Sequence, residues 1–212
     1  MKQGYFITLE GGEGAGKSTN LRFVQQCLEA AGKPVVMTRE PGGTALGEAL
    51  RAVLLNAHQS PVEPMAELLM MFAARAQHVE EVIKPALAEG CWVVCDRFTD
   101  ATYAYQGGGR GLPEAVIATL EQMVQGDLRP DLTILLDLPV SVGMQRAGQR
   151  PGAPDRIEQE SLDFFERVRT AYRERANQSP ARYCVIDAAA DLSSVQTALQ
   201  QGLAGLLERA ST

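Results

Sequence analysis

Phe6-Ile7-Thr8-Leu9-Glu10-Gly11-Gly12-Glu13-Gly14-Ala15-Gly16-Lys17-Ser18 decides the architecture. Tyr5–Leu9 reads as a strand that breaks at Glu10-Gly11-Gly12. Ser18–Ala31 reads as an amphipathic helix stopped by Gly32. Between them, Gly11 to Ser18 fits G-x-x-x-x-G-K-S/T in the context that pattern requires, a strand before and a helix after. The glycines let the backbone turn its N–H groups inward around phosphate oxygens. Lys17 reaches the β- and γ-phosphates, Ser18 offers a hydroxyl to Mg²⁺, and the helix adds its positive end. A nucleoside triphosphate site over Gly11, Gly12, Glu13, Gly14, Ala15, Gly16, Lys17, Ser18 and Thr19 follows. Glu13 is unusual there, since a carboxylate beside phosphates costs energy unless it faces something else. It either meets a sugar hydroxyl of a second substrate or points to solvent.

Working outward, strand-like runs keep alternating with helix-length segments. Pro34–Thr38, Cys91–Cys95, Leu132–Leu136 and Arg182–Ile186 read as strands. Cys-Trp-Val-Val-Cys is apolar throughout, as a strand covered on both faces should be. Helices are expected over Thr44–Asn56, Glu63–Glu89, Pro113–Gln125, Ser141–Gln149, Ser161–Asn177 and Leu192–Arg209, with Pro85 ending or kinking the second. Five strands separated by helices predict a three-layer α/β fold of the P-loop NTPase kind, a five-stranded parallel sheet flanked by helices. No linker splits the chain, so residues 1–212 are expected to form one domain. Gln106–Gly111 and Gln149–Asp155, rich in Gly and Pro, are expected to be mobile loops.

Composition removes other classes. A net charge of −6 argues against a protein whose main partner is a nucleic-acid backbone. Of 20 basic residues only Lys2, Lys17, Lys33 and Lys84 are lysines. That skew suits bidentate grip on small phosphates, although genomic base composition produces it too. No apolar stretch approaches a membrane span. Met1–Lys2 leads straight into the first strand, so a reduced, cytoplasmic chain is expected, with Cys27, Cys91, Cys95 and Cys184 as thiols rather than zinc ligands.

Asn-Lys-x-Asp and Asp-x-x-Gly, expected of a GTPase, do not occur. A chain of this length with many arginines downstream suggests phosphoryl transfer to a second small phosphate, which needs clamping cations and a dry site. Asp96-Arg97-Phe98 follows the buried strand, at the sheet edge where ligands bind in α/β folds. Asp96 can hold Mg²⁺ through water and Arg97 can hold the acceptor phosphate. The plainer reading is a structural ion pair. Arg146, Arg150 and Arg156 can form a lid (about residues 146–157) that closes over the phosphates, or simply a solvated basic face.

In order along the chain, these pieces resemble the bacterial thymidylate kinase family, a branch of the P-loop nucleoside monophosphate kinases. The marks are the Glu-containing P-loop, Thr38-Arg39-Glu40-Pro41-Gly42-Gly43-Thr44, Phe72-Ala73-Ala74-Arg75, Asp96-Arg97-Phe98 and Ala104-Tyr105-Gln106-Gly107-Gly108-Gly109-Arg110-Gly111. Asp155-Arg156-Ile157-Glu158, Leu162-Asp163-Phe164-Phe165 and a last strand Tyr183-Cys184-Val185-Ile186-Asp187 complete them.

The resemblance implies ATP·Mg²⁺ and dTMP as substrates, dTDP as product, a homodimer, and a lid whose arginines do the work that a basic P-loop residue does in other members. It implies that Arg75 bonds a thymine carbonyl, Thr102 and Gln106 line the base, and Tyr105 packs near the sugar's 2′ carbon. Glu13 would lie near the sugar and phosphate of dTMP, Arg97 would grip that phosphate, and Arg51 and Glu40 would fix that end. Lys17, Asp96, Arg97 and Arg150 would carry catalysis, with Arg146 and Arg156 on ATP. One departure stands out. Members of the family usually carry Phe four residues before the base-reading Arg, where this chain has Met71, with Phe72 one step later. One residue rotates a helical side chain by about 100°, so Met71 packs on thymine, Phe72 swings in, the helix shifts, or the pair simply packs the core. The alternatives are a kinase for another nucleoside monophosphate or a deoxynucleoside, and a silent P-loop binding module.

Overall fold

A computed structural model describes residues 4–56, 61–149 and 154–210. Five parallel strands, β1 (Phe6–Glu10), β2 (Val35–Arg39), β3 (Trp92–Asp96), β4 (Leu132–Asp137) and β5 (Tyr183–Asp187), form one sheet in the order β2-β3-β1-β4-β5. The apolar runs take the middle. β1 is buried at every position and β3 and β4 at all but their last, while edge strands β2 and β5 are partly exposed. Register sets Leu9 beside both Asp96 and Ile134. The loops leaving β1 and β3 therefore emerge side by side, bringing the P-loop next to Asp96-Arg97.

Helices cover both faces. They are α1 (Lys17–Ala30), α2 (Ala45–Leu55), α3 (Pro64–His78), α4 (Lys84–Ala88), α5 (Thr99–Thr102), α6 (Glu114–Gln125), α7 (Val140–Ala147), α8 (Leu162–Gln178) and α9 (Leu192–Arg209). Thr44, Ser161 and Asp191 each cap a following helix by accepting a backbone N–H. The long helix expected over Glu63–Glu89 is interrupted before its proline, by a π-helical turn at Val79–Ile83. Pro85 lacks an N–H and crowds the carbonyl four residues back, and a widened turn relieves that strain upstream.

One expectation is corrected. Gln106–Gly111 is not an open loop. Tyr103–Gly109 is a second π-helical segment continuing α5, and Gln106, Gly107 and Gly109 are buried. Its glycines serve close approach. A Cβ on Gly108 would lie 2.7 Å from the Ala171 Cβ and 2.9 Å from the Arg167 carbonyl oxygen, both on α8. Arg167 seals the seam by donating to the Gly108 and Gly109 carbonyls at 3.2 and 2.9 Å. Below it, Ala101, Ala104 and Tyr105 pack with Phe164, Phe165, Val168 and Tyr172 in one apolar cluster. The other expected loop, Gln149–Asp155, falls largely outside the described residues.

Candidate active site

The P-loop sits tight against the fold. Gly14 has φ +71, and a Cβ there would meet the Gly143 carbonyl oxygen of α7 at 2.0 Å. Lys17, at the start of α1, folds its ammonium back onto the loop, donating to the Gly11 and Gly12 carbonyls at 3.1 and 3.2 Å. Burial, reinforced by the charge of Arg97, pulls the Lys17 pKa down to about 8. A phosphate beside that ammonium would raise its pKa again.

Arg97 follows β3 with φ +68, the only left-handed non-glycine residue among those described. Such a backbone costs about 1 kcal/mol or more and persists where the surroundings over-determine it. Here Arg97 donates to Glu13 Oε1 at 2.8 Å and to the Tyr172 hydroxyl at 3.2 Å, with its guanidinium 4.7 Å from the Tyr105 ring centre. Tyr105 also donates to Glu13 Oε1 at 3.1 Å. Glu13 therefore faces inward and binds the two groups expected beside the acceptor.

A cavity of about 240 Å³ opens beside this cluster. It brings together Glu13, Lys17, Ser18, Glu40, Arg51, Met71, Asp96, Arg97, Tyr105, Gln106 and Arg156. Met71 lines it, whereas Phe72 packs with Leu68, Tyr103 and Ile117 and lies 4.8 Å from the Arg75 guanidinium. Arg75 and Thr102 stand just behind the lining, both fully buried. Arg75 donates to Glu40 Oε2 at 2.7 Å and to Thr102 Oγ1 at 2.9 Å, and its Nη1 has no partner in the protein. Gln106 Oε1 is likewise buried and unpartnered. Orphaned buried polar atoms are rare because each forfeits a hydrogen bond. Gln106, on the cavity lining, and Arg75, behind it, thus leave one acceptor and one donor unused.

Arg51 donates to the Pro41 carbonyl at 2.9 Å, on the wall next to Glu40. The lid arginines separate. Arg156 lies on the cavity wall, tied to α2 and α3 by donating to the Leu54 carbonyl at 2.9 Å and Glu67 Oε2 at 2.6 Å. Arg146 is exposed and donates to the Ala188 carbonyl at 2.7 Å, beyond β5. Arg150 lies outside the described residues. Thr19 is exposed and does not line the cavity.

Asp96 Oδ1 is buried without a partner, and the Ser18 side chain lines the same cavity. A hydroxyl and a carboxylate, oxygen ligands only, suit a hard cation that keeps most of its shell as water and phosphate oxygen. Among the described residues no three His, Cys, Asp or Glu side chains gather to hold a metal by themselves.

Three contributors escaped the sequence. Tyr172 bridges Arg97 and Glu10, donating to Glu10 Oε2 at 2.8 Å. His78 spans Thr38 (2.6 Å) and Glu40 Oε1 (2.8 Å). Glu67 accepts from Gln106, Arg110 and Arg156. For Glu67 and His78 a signal existed. With Met71 and Ala74 they occupy one face of α3, and a charged or ring-polar residue on an inward face needs a partner.

Known proteins resemble this chain over nearly its whole length. Residues 9–199 match the family model for thymidylate kinase. The chain is 58% identical over 205 residues to a thymidylate kinase of Ectopseudomonas mendocina, covering 97% of both chains. It is 59% identical over 206 residues to one of Pseudomonas entomophila, covering 97% of this chain and 98% of the relative. A crystal structure of thymidylate kinase from Ehrlichia chaffeensis superposes with a TM-score of 0.77 at 33% identity, covering 95% of this chain and 99% of that one.

Proposed function

We infer how the site works from one premise: the chain belongs to the thymidylate kinase family and moves the γ-phosphate of ATP onto dTMP, giving ADP and dTDP. What carries the residue roles is the single cavity shared by Lys17 and Ser18 of the P-loop with Arg97, Tyr105, Gln106 and Met71.

The amides of Gly11–Ser18 and the N-terminus of α1 hold the ATP phosphates, and Lys17 leaves the loop carbonyls for the β- and γ-oxygens. Arg97, already positioned by Tyr172 and the Tyr105 ring, exchanges part of its bond to Glu13 for the dTMP phosphate. One oxygen of that phosphate then attacks the γ-phosphorus in line as the bond to the ADP oxygen breaks. The chain supplies positioning and positive charge at both ends of the transfer rather than a covalent partner. Arg146 adds charge from the ATP side, and the catalytic role of Arg150 rests on the family resemblance. Arg156, held by Glu67, closes the acceptor side. Ser18 and Asp96 would hold Mg²⁺, whose contribution is to neutralise charge on the β- and γ-oxygens.

For the base, Met71 packs on thymine through its polarizable thioether. Arg75 Nη1 donates to a thymine carbonyl and Gln106 Oε1 accepts its N3–H, filling the two orphaned valences. Thr102 fixes Arg75 in that pose. Tyr105 crowds the sugar's 2′ carbon, with Glu13 beside it and Arg51 and Glu40 at the far wall. We assign residues 1–212 to one domain that works as a homodimer in the cytoplasm. Exposed Met65 and Leu69 on α3 and Met123 on α6 favour a second copy on that face. No described helix is long and apolar enough to cross a membrane.

ADP release from ATP·Mg²⁺ with dTMP, dUMP, UMP, dCMP, AMP and GMP as acceptors tests the pocket. Strong preference for dTMP is expected, and comparable turnover of dCMP would refute the base contacts assigned here. Sedimentation of the purified chain tests the dimer, which a monomer at micromolar concentration would refute.

A further inference from the structure

Gln106 can read a base edge only if its amide points one way, because its two ends are nearly the same shape and opposite in hydrogen bonding. Glu67 removes the choice. It projects from α3, 1% exposed, and its Oε1 accepts from Gln106 Nε2 at 2.7 Å. Its Oε2 accepts from Arg156 at 2.6 Å and from Arg110 at 3.2 Å. Burial opposes ionisation, but the bonds from Gln106, Arg110 and Arg156 outweigh it and hold the Glu67 carboxyl below its ordinary range. An ionised carboxylate only accepts. The amide must therefore give it the nitrogen, which leaves Oε1 as the buried, unpartnered atom beside the cavity.

We propose that Glu67 is a positioning residue for base discrimination: it locks the Gln106 amide so that the pocket presents an acceptor, matching the N3–H of thymine and refusing the bare N3 of cytosine. The inference rests on the base contacts assigned above. Arg75 is a fixed donor, bonded to Thr102 one turn before Gln106. Thymine offers N3–H and a C4 carbonyl, the complement of acceptor and donor. Cytosine offers the reverse at both atoms. Uracil has the same edge as thymine and differs only in its methyl group. Glu67 therefore separates dTMP from dCMP and is indifferent between dTMP and dUMP.

The experiment compares kcat/KM for dTMP, dUMP and dCMP in the wild type, Glu67→Gln, Gln106→Met and the double variant. Glu67→Gln keeps the shape but can present nitrogen or oxygen, so the facing amide can flip. The preference for dTMP over dCMP should fall about tenfold or more, the worth of one net hydrogen bond. The preference for dTMP over dUMP and the KM for ATP should stay within about twofold, as expected when the N3–H and C4 carbonyl contacts are shared. In the Gln106→Met background, Glu67→Gln should lower the dCMP discrimination no further. An unchanged dCMP ratio in Glu67→Gln, an equal fall in both ratios, or a further fall in the double variant would each overturn the proposal. A wild type that does not discriminate against dCMP would instead refute the base contacts themselves. If Glu67→Gln does not fold, the wild-type ¹H–¹⁵N spectrum decides. The Gln106 side-chain amide, assigned by its loss in Gln106→Met, should resist solvent exchange with and without dTMP. Free exchange would overturn the lock.

Discussion

Gly108→Ala puts the packed seam between the glycine-rich segment and α8 to a direct test. The added methyl would stand 2.7 Å from the Ala171 Cβ and 2.9 Å from the Arg167 carbonyl oxygen, where ordinary contact needs a few tenths to a full ångström more. Backbone and Cβ cannot swing aside as a long side chain can, so α8 must shift. Overpacking of this kind costs about 1–3 kcal/mol. Taking about 2 kcal/mol, a chain of this size should lose about 4–8 °C in Tm. In a loose loop the same change would stabilise the chain by about 0.4–1 kcal/mol, because alanine narrows the unfolded ensemble. The two pictures therefore predict opposite signs. Scanning calorimetry at fixed concentration reads the sign. Steady-state kinetics reads the consequence, since α8 carries Tyr172, which holds Arg97. The KM for dTMP should rise more than the KM for ATP. A Tm equal to or above that of the wild type would refute the close-packing account.

Lys17→Ala and Arg97→Ala should each lower kcat/KM by about 10²-fold or more, the worth of a fixed charge at the transferring phosphoryl, with near-native circular dichroism; near-normal turnover in either would remove that residue from the mechanism. Burial, and then the charge of Asp100, push the Glu10 pKa from 4.5 up to about 8. Between those values the folded state keeps a proton that the unfolded chain has released, so wild-type stability falls as pH rises across that window. At about 1.4 kcal/mol per unit, the fall is about 5 kcal/mol at most. Glu10→Gln removes it, so the Tm of the variant should gain on the wild type from pH 5 to 8, and parallel pH profiles would contradict the protonated carboxyl. His78→Leu strips Glu40 Oε1 and Thr38 of a buried partner, which should cost about 1–3 kcal/mol. It should also raise the KM for dTMP through Arg75, and an unchanged KM would mean that Arg75 needs only Glu40 Oε2 and Thr102.

What the sequence made legible is local. The P-loop is eight consecutive residues whose roles follow from backbone turning and helix polarity, and Lys17 and Ser18 stand where that pattern sets them. Asp96-Arg97 was readable because a buried strand must deliver its next residues to the sheet edge. The five strands were readable for the same reason, each an apolar run with its own punctuation. Glycine was the point of ambiguity. Gly107-Gly108-Gly109 reads equally as freedom or as absence of bulk, and only the position of α8, 59 residues from Gly108 through Arg167, distinguishes them. Met71 and Phe72 posed the same kind of question. A helical pattern shows that one of two neighbours faces inward, but the phase of α3 against the cavity depends on what it packs on.

The remaining part of the site was hidden because it consists of pairs rather than positions. Arg75 finds Glu40 across 35 residues, Gln106 finds Glu67 across 39, and Arg97 finds Tyr172 across 75. Glu67 shows on the inward face of α3 and Glu40 lies within a motif, but no local pattern says which mate each of these partners meets, and each decides which atom of its mate is left over. A pocket recognises its ligand with what is left over. Arg75 has five donors, yet with Nε bonded to Glu40 and Nη2 to Thr102, Nη1 is the nitrogen left without a protein partner, the one proposed above for the base. Gln106 is ambivalent until Glu67 takes its nitrogen. On the base contacts proposed above, specificity for one base edge is set one bond away from the substrate, by carboxylates that need not touch it. Exchanging Glu40 or Glu67 for an isosteric amide should alter which base is accepted more than how fast the phosphoryl group moves. Exchanging Lys17 should do the reverse.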